Sequence, residues 1–141
     1  MRKLSYRSPL YWLTLVVAVG IIFIGVRFLF APDVAARAFG VPLADPLDVA
    51  FLFVKGVRDI VSGLFFLALL WSSNRRMIGS LLLIATLIPI SDGAIVLSSV
   101  GWRPELAIHW GTALYMLLLS FALLRKSNKV EEDRADIPMA A

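Results

Sequence analysis

The order of apolar and polar residues divides this 141-residue chain into four long apolar runs joined by short polar stretches. The runs cover about Leu10–Phe30, Leu47–Trp71, Met77–Ser98 and Glu105–Leu124. Each is close to the ~20 residues that carry an α-helix across ~30 Å of hydrocarbon. An isolated strand leaves its backbone groups unsatisfied in lipid, so the runs predict helices. The expected fold is all-α: a four-helix transmembrane bundle forming one membrane domain over residues 1–126. A polar, disordered cytoplasmic tail is expected over residues 127–141.

The stretches between the runs carry their own signals. In the first loop Pro32 suits the first turn of a helix and Asp33 its positive end. Gly40, with Pro42 behind it, suits the stop, so a short interfacial helix is expected over Asp33–Phe39. The link "SSNRR" is short enough to make runs two and three antiparallel neighbours. Pro89 removes a backbone donor from run three and predicts a kink near "IPISDG". The start, "MRKLSYRSPLYW", is basic and then apolar like a signal peptide, with small residues for cleavage in "APDVAARA". Its apolar run exceeds the 7–15 residues of a typical h-region, so a retained first span is expected.

Charge adds orientation. The chain is 60% hydrophobic, well above the roughly 45–50% of ordinary soluble domains, and its sequence pI is about 9.9. Of the 14 Lys and Arg, nine fall in the amino terminus, the second loop and the tail, and two (Arg37 and Arg103) in the first and third loops. The positive-inside rule then places both termini in the cytoplasm, with the inner membrane as the site in a bacterium. The basic balance reports orientation and contact with the lipid bilayer, and no nucleic-acid partner is expected. The absence of cysteine excludes disulfides and thiolate chemistry. A single histidine offers no bis-His haem, and Glu105-x-x-x-His109 is no recognised metal spacing, so neither cofactor nor metal is expected.

One stretch departs from the apolar pattern. "FVKGVRDIVSG" places Lys55, Arg58 and Asp59 inside run two, each costing about 2.5–3.5 kcal/mol near the centre of a span. At 100° per residue, Asp48, Lys55, Arg58, Asp59 and Ser62 share a sector of about 100°, with Lys55 and Asp59 as an i,i+4 pair. A polar stripe on such a helix faces the bundle interior or a wet cavity. Arg27, Asp92, Glu105 and His109 fall at similar depth in the other runs, so charge gathers in the middle-to-outer part of the membrane. Three cations (Arg27, Lys55, Arg58) face three carboxylates (Asp59, Asp92, Glu105), as an internal network of ion pairs requires. Gly56 and Gly63 let neighbouring helices approach.

Two readings of this polar group stay open. In the first it binds or acts on a small apolar or amphiphilic molecule by non-redox acid/base chemistry. Lys55 and Arg58 then hold the head, Arg27 and Glu105 are further binding candidates, and Asp59, Asp92 or His109 moves a proton. In the second the protein is a non-enzymatic accessory or assembly subunit, and the charges fix helix register or meet a membrane partner or a second copy. Whether the protein is an enzyme is open between them.

The segments "FAPDVAARAFGVP", "FVKGVRDIVSGLFFLALL", "LIPISDGAIVL" and "HWGTALYM" resemble domain-of-unknown-function family 4267, over about residues 10–124. The first-loop pattern is shared with DoxX-like four-helix proteins. The resemblance implies a four-helix bundle with Lys55, Gly56, Arg58, Asp59, Asp92 and His109 as signature positions, and it implies no settled activity.

Overall fold

A computed structural model describes residues 4–43, 45, 48–72 and 74–135, with side chains through Arg125. Among the described residues the elements are six α-helices: α1 Pro9–Phe30, α2 Pro32–Phe39, α3 Asp48–Ser72, α4 Arg75–Ala85, α5 Leu87–Val100 and α6 Leu106–Ala135. Three helical stretches among these residues are long and apolar enough to cross a membrane: Pro9–Phe30, Arg75–Val100 and Leu106–Arg125. The chain is thus a multi-pass helical membrane protein. At 25 residues α3 has comparable length, but its charges set it apart.

The helix ends follow local chemistry. Pro9 and Pro32 each open a helix, where the missing N–H costs nothing. α2 starts one residue earlier than its sequence signals indicate and stops on Gly40, whose φ of 104° is left-handed. There the Gly40 N–H donates to the Arg37 carbonyl and the Val41 N–H to the Ala36 carbonyl, the Schellman arrangement that glycine permits. Asn74 caps α4 by accepting from the Met77 N–H at 3.2 Å. The break between α4 and α5 lies at Ala85–Leu87, one turn before Pro89. Pro89 has no N–H to give the Ala85 carbonyl, and the next bond, Ile90 N–H to the Thr86 carbonyl, is stretched to 3.3 Å.

α1 and α3 run antiparallel in close contact because Gly56 faces Gly25. A Cβ on Gly56 would stand 2.8 Å from the Gly25 carbonyl oxygen. α4 and α5 pack along α6, and α2 lies against α1 and α3. Tyr115 ties α6 to α1 by donating to the Leu13 carbonyl at 3.0 Å. The apolar core, including Val17, Phe66, Leu70, Ile78, Leu82 and Leu123, fills the end of the assembly where α1 begins. The opposite end, beneath α2, holds the intrahelical charges.

α6 runs past Leu124, the end of the fourth apolar run, and continues helical to Ala135, into the stretch expected as a disordered tail. Residues 125–135 hold no glycine or proline and are rich in good helix formers, so nothing local stops the helix. The rest of that expected tail, 136–141, lies outside the described residues.

Candidate functional site

The sequence sets up the site through three local features. The i,i+4 spacing on α3 brings Asp59 back to Lys55. The joint before Pro89 sets the course of α5, which carries Asp92 across to α3. The Gly40 cap turns the chain so that Phe39 lies over the end of α6. As a result Lys55 Nζ lies 3.1 Å from Asp59 Oδ2 and 3.4 Å from Asp92 Oδ2. The side chains of Lys55, Asp59 and Asp92 keep 15%, 9% and 16% of their surface exposed. That is low enough for the ion pairs to be poorly screened.

Two aromatic rings complete the surroundings of the ammonium. Lys55 Nζ stands 5.2 Å from the Phe28 ring centroid and 4.9 Å from that of Phe39, both within cation–π range. Phe39 also meets the His109 ring edge-on at 4.7 Å, and His109 Nε2 lies 2.8 Å from the Phe39 carbonyl oxygen. A carbonyl only accepts, so Nε2 is the donor in this contact. His109 thereby fastens the end of α2 to α6.

These groups wall one part of a cavity of about 570 Å³. Arg27, Lys55, Asp59, Asp92 and His109, with the hydroxyl residues Ser62 and Thr112, supply its charged and polar lining, while Ile24, Phe66, Leu81, Ile84, Ile88 and Met116 supply apolar walls. Pockets of ~300–1,000 Å³ with mostly apolar walls and a few convergent polar groups are the usual form of small-molecule sites.

Not every candidate joins this group. Arg58 is exposed on the outer side of α3 and does not line the cavity. Glu105 is also outside the lining. Its Cβ packs near Gly40, and its Oε2 is buried without a hydrogen-bond partner. Arg27 lines the cavity, and its side chain forms no ion pair among the described residues. The expected six-charge network is therefore a three-residue cluster with one further cation beside it. Phe28 and Phe39 are additions that composition did not flag, since the close packing of α1 on α3 brings Phe28 to Lys55 and the docking of α2 brings Phe39. Among the described residues no three His, Cys, Asp or Glu side chains gather as a metal site.

Chemically, two carboxylates share one ammonium. Against this geometry, the family described as "Domain of unknown function (DUF4267)" matches residues 18–123, which include every residue that lines the cavity. The chain belongs to the DUF4267 family. No curated protein and no solved structure matches it. Within this DUF4267 protein the matched segment starts in the middle of α1 and stops in α6, so the cavity is part of the family domain.

Proposed function

We propose that this DUF4267 protein spans the membrane four times, with both termini cytoplasmic and α2 on the outer surface, and binds a small amphiphilic molecule in its cavity. The observation that carries the reading is the cavity itself, about 570 Å³ with a group of charged residues and otherwise mostly apolar walls. The fourth crossing is α3. It runs antiparallel to α1 through Gly25 and Gly56, and it turns Lys55 and Asp59 inward, so Arg58 is the charge it presents outward at mid-helix. The nine-to-two distribution of loop cations supports the orientation. Proton movement by Asp59, Asp92 or His109 gives the site its non-redox acid/base chemistry.

One observation favours the second reading, an accessory or assembly subunit. Arg58 stands exposed among Val54, Val57, Val61 and Leu64, a face where lipid offers it nothing and a partner subunit's carboxylate offers a pair. Substitutions separate the two. With Asp92→Asn and Arg58→Ala, the amphiphile reading expects a folded, monodisperse protein, with a co-purifying small molecule diminished by Asp92→Asn. Collapse of expression and thermal stability in both variants supports the structural reading. A retained fold with no bound molecule lost from either variant defeats the site.

A further inference from the structure

We propose that the head of the bound amphiphile is an anion, a carboxylate or a phosphate monoester, and that Arg27 receives it. The proposal rests on the amphiphile reading of the cavity and narrows its ligand. Sequence reasoning gives the head to Lys55 and Arg58, and the geometry leaves neither free for it. Lys55 is already held by two carboxylates and two rings. Arg58 faces away from the cavity. Arg27 lines the cavity, half-buried, and no described carboxylate pairs with it.

The pairing points the same way. Of the charges that line the cavity, Asp59 and Asp92 are both drawn to Lys55, which leaves Arg27 as the lining cation with no described carboxylate beside it. In a poorly screened site an anionic head pairs with that cation, a neutral head leaves it unpaired, and a cationic head repels it. A guanidinium also presents a planar fork that matches a carboxylate or phosphate edge with two parallel hydrogen bonds.

The tail has a place as well. Ile24 and Ile21 follow Arg27 along α1 into the cavity, and Phe66, Leu81 and Met116 close its far side. At the ~30 Å³ that a water takes in the liquid, a cavity of about 570 Å³ holds on the order of 15–20 non-hydrogen atoms. That is room for a single twelve-carbon chain with its head.

A matched series tests the assignment. The full chain, in nanodiscs of zwitterionic lipid, is titrated with dodecanoate, dodecyl phosphate, 1-dodecanol and dodecylammonium, with the cavity-filling variant Thr112→Trp as background. At least one of the two anions is expected to bind about tenfold or more tighter than dodecanol, since charge-assisted pairs exceed neutral ones by that order. Dodecylammonium is expected to bind weakest. Whichever anion leads identifies the head as carboxylate or phosphate. Arg27→Gln removes the preference for the anion and leaves dodecanol affinity unchanged, and Arg27→Lys restores part of the preference. If dodecanol binds as tightly as both anions, or if Arg27→Gln leaves the anion preference intact, Arg27 is not the receptor. In that case loss of all binding in Thr112→Trp still upholds the cavity. If none of the four binds the unaltered protein above the Thr112→Trp background, both the cavity reading and this assignment fail.

Discussion

Replacing Lys55 with methionine keeps the length of the side chain and removes its charge. In the structure that leaves Asp59 and Asp92, whose Oδ2 atoms lie 3.1 and 3.4 Å from the lost Nζ, facing each other without a counter-ion. Breaking a buried pair from one side costs about 3–5 kcal/mol, because the charge left behind has lost both water and partner. Here two carboxylates share that loss, and two cation–π contacts, worth about 0.5–2 kcal/mol each, go with it. The neutral triple variant Lys55→Met, Asp59→Asn, Asp92→Asn leaves no buried charge, and replacing a whole buried ion cluster is often nearly neutral. Equilibrium unfolding in mixed micelles of increasing denaturing detergent measures both variants. The expected order is wild type, then the triple variant within about 2 kcal/mol, then Lys55→Met lower by about 3–5 kcal/mol. A single variant within 1 kcal/mol of wild type, or a triple variant as unstable as the single, would refute the cluster as a coupled unit.

Three further outcomes are expected. Gly56→Ala puts a methyl 2.8 Å from the Gly25 carbonyl oxygen and lowers stability by about 1–3 kcal/mol. By contrast Gly20→Ala, which meets nothing within 4 Å, is neutral or stabilising by up to ~1 kcal/mol; the same unfolding titration checks both. His109→Leu orphans the Phe39 carbonyl at a cost of about 1–3 kcal/mol, seen as faster amide exchange at Gly40 and Val41 while the amides of α1 stay protected. A reporter fused after Ala141 reads cytoplasmic, and an external reading overturns the proposed orientation.

Much of this arrangement is legible in the chain because it rests on local rules. Pro32 and Gly40 bound α2, Pro89 marks the joint in the third apolar segment, and the Lys55–Asp59 pair follows from helical spacing. What was hidden depends on tertiary placement. Arg58 and Asp59 stand at opposite edges of the same polar sector, and a helical wheel does not say which edge turns inward. Glu105 shares a helix face with His109, yet the turn before α6 leaves it beside Gly40 rather than in the cavity. Phe28 and Phe39 read as ordinary apolar residues until α1 packs on α3 and α2 docks, which sets both rings against Lys55. The continuation of α6 to Ala135 shows the limit of reading polarity as disorder, since polar residues of high helix propensity extend a helix already nucleated by packing.

Native mass spectrometry of the protein released from a mild detergent tests the central claim most directly. The account predicts a recurring single-chain molecule bound one per protein chain, present on the unaltered protein and missing from Thr112→Trp. A chain that emerges bare, or one that carries a stoichiometric protein partner and no small molecule, contradicts it.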